Sequence, residues 1–207
     1  MINSPYQFMD NSGTVLRNLT LGEMFENPNI LNNETLSQVL NGLLRVNSKE
    51  RTLEMVDDIR NFLLISEMGT MKMDLFAMNV QRNRDHGVCS YQKAKDSMGI
   101  AASTNWTEMF GPKDRSMASI YSNNTNNIDL WVGIIGERSV PGSDLGELGG
   151  KLVAAQFKKI RNADRLWYEN VFPPALVKEI RTTSLGDVIK RNSIVTATNT
   201  PIFVKVS

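Results

Sequence analysis

Hydrophobic and polar positions repeat with a helical period along most of this chain. Leu36, Val39, Leu40, Leu43 and Leu44 fall at i, i+3, i+4, i+7 and i+8, the spacing that lines one face of an α-helix. Residues 51–65 repeat the pattern with Leu53, Val56, Ile59, Phe62 and Leu63, and charged residues fill the opposite face. Thr35, just before Leu36, and Ser48, three residues before Arg51, are candidate N-caps, because a short hydroxyl can accept a first-turn backbone N–H. Residues 74–80 form a nearly unbroken apolar run and are predicted as a deeply buried helix; residues 90–98 continue helically after a break at Gly87. Gly142, Gly146, Gly149 and Gly150 interrupt the region before Lys151, and Leu152, Val153, Phe157 and Ile160 then mark a helix ending near Arg161. Pro173 and Pro174 fix a further helix start, with Leu176, Val177 and Ile180 on its inner face. Residues 194–206 alternate β-branched and polar positions, the period of a short strand. The prediction is a mainly α, multi-helix fold with few short strands, forming one domain or part of one, without internal repeats or a low-complexity linker.

Composition narrows the function classes. A chain of 207 residues can bury a sizeable core. The net charge of +1, with no basic stripe interleaved with aromatics, gives no basis for a nucleic-acid partner. The longest apolar stretches, such as residues 62–65, are far too short for a membrane segment. Residues 1–5 show neither a basic leader nor an apolar signal core. Cys89 is the sole cysteine, which excludes a disulfide scaffold. Four N-x-[ST] sequons, at Asn18, Asn33, Asn105 and Asn123, tilt the expectation toward a secreted protein and leave the compartment open.

The densest chemistry lies in residues 74–91. An apolar run containing Leu75, Phe76, Met78 and Val80 passes directly into Gln81-Arg82-Asn83-Arg84-Asp85-His86-Gly87. Burying such charges costs on the order of several kcal/mol unless each is paired, so the segment either grips something anionic or knits a core together. His86, the only histidine, is a potential metal ligand or general base, or a core histidine within an Arg-Asp-His network. The second reading is favoured, because buried polar clusters are more often architecture than chemistry. By residue type alone Asn79 reads as an amide capping local backbone. Arg84 and Asp85 read as a buried pair. Asp129, Trp131 and Glu137, with residues 164–169, include paired carboxylates that can do acid–base work, but they read more simply as a corner held by ion pairs and by burial of Trp131 or Trp167. Nothing in the sequence argues for radical chemistry at Tyr91 or Tyr168, or for a reactive thiolate at Cys89.

Asn79 followed by Gln81-Arg82, Arg84-Asp85-His86-Gly87 and Tyr91 resembles the signature of the animal haem peroxidases. Later blocks agree in order and spacing: residues 127–133, Gly136-Glu137, Gln156-Phe157, residues 161–170, residues 184–189 and Asn192. The resemblance covers nearly the whole chain. It implies a multi-helix haem-peroxidase-type fold, of which residues 1–207 form the C-terminal part of a single domain. It also implies an enzyme that uses haem (iron protoporphyrin) and hydrogen peroxide to oxidise halide or small organic electron donors.

The resemblance further implies roles for individual residues. Asn79 would accept the second ring N–H of the proximal histidine, fixing its tautomer and orientation. Arg82, three residues on and on the same helix face, would hold a haem propionate with its fork of donors. Leu75, Phe76 and Met78 would wall the proximal face of the ring, with general core packing as the other reading of these three. No catalytic group and no metal ligand is expected within the chain. The family's proximal histidine and its distal histidine, arginine and glutamine are expected upstream of Met1, because residues 1–8 resemble the segment just after the proximal histidine. The N-terminal half of the domain is then a missing partner, and this fragment alone is expected to be inactive. The proximal histidine being a different residue, the resemblance supports the structural reading of His86. Secreted members carry cysteines where Met98, Lys151 and Lys190 stand here, consistent with loss of whole bridges. Two alternatives are a non-catalytic peroxidase-like interaction module and a relative of the cyclooxygenase-like haem dioxygenases, in which the Arg-Asp-His-Gly run is usually degraded.

Overall fold

A β-hairpin that the sequence pattern does not announce opens the described chain. β1 (Tyr6–Met9) pairs antiparallel with β2 (Val15–Leu19), with a register shift between Phe8 and Met9. Asp10 builds the turn: its Oδ1 accepts from Ser12 N and Thr14 N, while Gly13 takes φ +92°. The helices follow in the order α1 (Leu21–Met24), α2 (Asn33–Arg45), α3 (Leu75–Asp85), α4 (Tyr91–Ser97), α5 (Trp106–Phe110), α6 (Arg115–Ile120), α7 (Leu130–Gly136), α8 (Glu147–Ala163), α9 (Tyr168–Val171), α10 (Pro174–Thr182) and α11 (Leu185–Asn192). The fold is mainly α. This computed structural model describes residues 5–47, 51, 53–62, 74–111, 115–196 and 202. It divides into two compact units, Met1–Lys49 with Arg161–Ser207, and Glu50–Ile160.

In the first unit, β1 lies against α2 so closely that a Cβ on Gly42 would meet the Gln7 carbonyl oxygen at 1.7 Å. Only glycine fits there. Phe8, Met9, Leu19, Ile189 and Val195 are buried. Asn32, not Thr35, caps α2: its Oδ1 accepts from Glu34 N and Thr35 N, and the Thr35 hydroxyl oxygen accepts from Asn32 N at 2.8 Å. Thr35 thus closes a capping box from inside a helix that begins earlier than predicted. Leu176 and Ile180 on α10, predicted to face inward, are more than a third exposed. Residues 194–196 form no strand, and residues 197–206 lie outside the described residues apart from 202.

In the second unit, Tyr91, Phe110, Ile128, Val132 and Leu148 anchor one apolar core. Glu137 is buried at the end of α7 and accepts three hydrogen bonds. They come from the Tyr91 hydroxyl (3.0 Å), Leu148 N (3.3 Å) and Gly149 N (2.8 Å). The two backbone donors belong to the first turn of α8, where the helix dipole also favours an anion. This explains why α8 begins at Glu147 rather than after the glycines. A Cβ on Gly146 would meet Glu137 Cδ at 2.3 Å, so the glycines let the carboxylate reach the helix end.

Residues 51 and 53–56 do not form the predicted amphipathic helix; among the described residues of this stretch only 57–62 coil, mostly as a single π turn over Asp58–Phe62. Arg51 holds this strap irregular. Its guanidinium donates to the carbonyls of Ile134, Ile135 (2.7 Å), Glu137 (2.7 Å) and Asp144 (2.6 Å). Those carbonyls lie at and beyond the C-terminal end of α7, where a cation offsets the dipole. Ser48 and residues 63–65 lie outside the described residues.

The Gly133 position tests the packing. A Cβ there would sit 2.3 Å from the Tyr91 ring, whereas one on Gly150 would meet nothing within 4 Å. Urea unfolding should show Gly133→Ala destabilised by about 1–3 kcal/mol through overpacking. Gly150→Ala, inside α8, should gain about 0.5–1 kcal/mol from helix propensity.

Candidate functional site

The five residues expected to contact the cofactor all lie on α3, and α3 is fixed at both ends. Asp74 caps its start, with Oδ1 accepting from Phe76 N (2.9 Å) and Ala77 N (3.1 Å). At the other end Gly87 takes φ +63°, and Val88 N reaches back to Asn83 O at 3.0 Å, the left-handed closure that stops a helix. The Arg-Asp-His-Gly run is therefore, locally, a helix terminus.

Two further contacts set which way α3 faces. Phe76 meets Trp131 edge to face, ring centroids 4.5 Å apart at 71°. Arg84 grips the Asp129 carboxylate with both arms, Nε to Oδ1 at 2.9 Å and an Nη to Oδ2 at 2.7 Å. Asp129 also accepts from the Tyr121 hydroxyl at 2.9 Å. The Arg84 hydrogen bonds hold the Asp129 carboxyl below the usual carboxylate range. Burial, then this hydrogen bond, pushes the Tyr121 phenol up to about 12.

These contacts correct the expected Arg-Asp-His network. Arg84 pairs with Asp129 rather than Asp85, and Asp85 accepts instead from Gln81 Nε2 at 2.7 Å, one turn back. His86 is exposed at the helix end, where its backbone N–H donates to Arg82 O. No residue of α3 is fully buried, so the predicted deep burial gives way to a helix laid across the core with one side open.

The five candidate residues divide between the two sides. Phe76, with Val80 one turn on, packs against the core. Leu75, Asn79 and Arg82 follow at i, i+4 and i+7, and Met78 lies beside them one turn before Arg82. Leu75, Met78 and Asn79 are half-buried and Arg82 is exposed. Neither the Asn79 amide nor the Arg82 guanidinium has a hydrogen bond or ion pair among the described residues. The open side of α3 therefore presents two apolar side chains, a neutral amide and an unpaired cation. That set suits a flat apolar ligand with an anionic edge, and a haem with its propionates fits it in kind. Among the described residues no cluster of histidine, cysteine or carboxylate side chains could hold a metal ion.

Comparison with known proteins gives the family. A profile describing the animal haem peroxidases matches residues 1–203. The chain belongs to the animal haem peroxidase family. The human peroxidasin homolog is 34% identical over 183 residues, covering 84% of this chain and 12% of that protein. Peroxinectin A of Dictyostelium discoideum is 29% identical over 188 residues, covering 90% of this chain and 35% of its own. Among solved structures, Peroxidase A from Dictyostelium discoideum superposes with a TM-score of 0.85 at 28% identity, over 99% of this chain and 40% of that one. A fatty acid alpha-dioxygenase of Oryza sativa shares the fold, with a TM-score of 0.78 at 20% identity. This peroxidase-family chain thus spans well under half the length of these relatives.

The Arg84–Asp129 pair, which aims the candidate face, was missed by sequence reasoning. Its members lie 45 positions apart, so no local period signals them; the cue was only that both fall within blocks shared with the family. The pair predicts a pH dependence. A carboxyl held below its unfolded value, about 3.9, adds stability that is present above that value and lost as pH falls through the folded one. Asp129→Asn should therefore be less stable than wild type near neutral pH, and the gap in urea midpoints should narrow below about pH 4.

Proposed function

We propose that this chain is the C-terminal portion of a haem peroxidase domain that uses hydrogen peroxide to oxidise halide or small organic donors. Leu75, Met78, Asn79 and Arg82 would form part of the proximal wall of its haem site. The reading rests on one observation above the others: among the described residues, the more open face of α3 carries an unpartnered amide and an unpartnered guanidinium beside two apolar side chains. Haem, when bound, supplies the iron centre that peroxide oxidises and the donor reduces.

The chain's own residues then act by binding and orientation. Asn79 accepts the N–H of the proximal imidazole through its carbonyl. A neutral, fixed dipole orients the ring without placing a full negative charge on it, as a carboxylate would. Arg82 holds a propionate with its planar fork of donors. Leu75 and Met78 keep water from the ring, while Phe76 braces the helix from behind against Trp131.

The proximal and distal histidines belong, on this reading, to polypeptide preceding Met1. That polypeptide is also the partner for apolar faces that the described residues leave open. Val153, Phe157 and Ile160, at i, i+4 and i+7 of α8, are all exposed, Phe157 by 67%. A secreted location accompanies the proposal: Asn18 and Asn123, both in sequons, stand exposed. Among the described residues no helix is long and apolar enough to cross a membrane.

The test is reconstitution. This polypeptide with haem and peroxide should give no turnover beyond that of free haem. Extended by the preceding polypeptide with its proximal histidine, it should develop a Soret band and oxidise a phenolic donor. In that extended protein, Asn79→Ala should cost roughly 10–100-fold in activity, and Arg82→Ala should weaken haem binding by about 1.5–3 kcal/mol. Turnover by the 207-residue chain alone that vanishes in Asn79→Ala would refute the assignment of the catalytic groups to another segment.

A further inference from the structure

Four aromatic rings in the second unit form a continuous series. Tyr91 and Phe110 have ring centroids 5.9 Å apart, Phe110 and Trp106 5.9 Å, and Trp106 and Tyr121 6.5 Å with the planes only 21° apart. The series runs from the fully buried Tyr91, 2% exposed, to the half-buried Trp106 and Tyr121. At the buried end the Tyr91 hydroxyl donates to Glu137 Oε2 at 3.0 Å. We propose that Tyr91 is a redox-active residue: it gives one electron through Phe110 to an oxidised Trp106 and its proton to Glu137.

The balance is complete. A one-electron metal-complex oxidant at the surface, such as ruthenium(III) polypyridyl, takes an electron from the Trp106 indole, is reduced to ruthenium(II) and leaves an indole radical cation. An electron then passes from Tyr91 to Trp106, restoring the indole. The Tyr91 O–H bond breaks as its proton moves to Glu137 Oε2, leaving a neutral phenoxyl radical and a neutral carboxylic acid. No water and no further co-reactant is consumed.

Four features make Tyr91 the resting place of the oxidation. Lys95 Nζ stands 5.7 Å from the Tyr91 ring centroid, so positive charge left on that ring is disfavoured and the proton must leave with the electron. Burial, followed by Glu137, raises the Tyr91 phenol well above its ordinary value, which closes the route through a preformed phenolate. Tyr121 is the weaker rival: it is only half-buried, and both carboxylate oxygens of its acceptor Asp129 are already engaged by Arg84. The enclosing core, with Gly133 against the ring, keeps solvent from the radical once formed.

The proposal is independent of haem and is tested on the 207-residue chain. A ruthenium(II) polypyridyl sensitiser with a viologen quencher generates the oxidant by flash, and transient absorption with electron paramagnetic resonance reads the radicals. The chain has four tyrosines, and a variant with Tyr6, Tyr121 and Tyr168 all changed to Phe retains only Tyr91. This variant should show a tryptophanyl signal that decays into a long-lived tyrosyl signal, with slower decay in deuterium oxide. Adding Trp106→Phe should abolish the tyrosyl signal. Glu137→Gln should slow its formation about a hundredfold, the usual cost of losing a positioned proton acceptor. Where that variant does not fold, the isotope effect and Trp106→Phe decide the matter. No tyrosyl signal in the Tyr91-only variant, or one indifferent to Trp106→Phe, would overturn the proposal.

Discussion

The second unit depends on one buried carboxylate. Leaving Glu137 charged without partners in an apolar core would cost more than any single contact returns. Instead three donors converge on it from α4 and α8, and the positive end of α8 faces it. Because the donors sit on different elements, satisfying the charge fixes three things together: where α7 ends, where α8 begins and how deep Tyr91 sits. Arg51 completes the corner from the other side by taking up the carbonyls that the end of α7 leaves free. The surrounding glycines follow from this arrangement, since a methyl group at Gly146 or Gly133 would occupy space held by Glu137 or Tyr91.

The candidate face inherits its orientation from that corner. Asp129 precedes α7, and its ladder contact with Ser90 joins it to the start of α4. When Arg84 pairs with Asp129 and Phe76 seats on Trp131, α3 is pinned near both ends to elements that Glu137 already orders. Rotation of α3 about its axis is thereby restricted, which leaves Arg82 exposed and Asn79 half-buried. Binding residues held on a rigid helix lose little ordering entropy when a ligand arrives.

Helical period and residue type carried much of this into the sequence. The amphipathic patterns at α2, α8 and α10 are real helices, and Gly87 ends α3 as its residue type suggests. The same reasoning failed at residues 51 and 53–56, where the spacing of Leu53 and Val56 was helical but Arg51 is committed to carbonyls far along the chain. Period is a local quantity, and a long-range hydrogen bond overrides it without leaving a local trace. The Arg84–Asp85 expectation failed for a related reason. Adjacent opposite charges on a helix point in different directions, so each finds a partner elsewhere: Arg84 at Asp129 and Asp85 at Gln81.

Period also reports that a face is apolar without reporting what covers it. Phe157 and Ile160 on α8 satisfy the spacing of a core-facing stripe, as do Leu185 and Val188 on α11, and all four are exposed among the described residues. Fully covering a side chain of this size contributes roughly 1.5–3 kcal/mol, so several such positions are a substantial driving force for contact. The open side of α3 differs in kind. There the apolar positions are interrupted by an amide and a guanidinium without partners among the described residues. Whatever covers that mixture must bring acceptors of its own, and on the proposed reading these are the propionates of a haem.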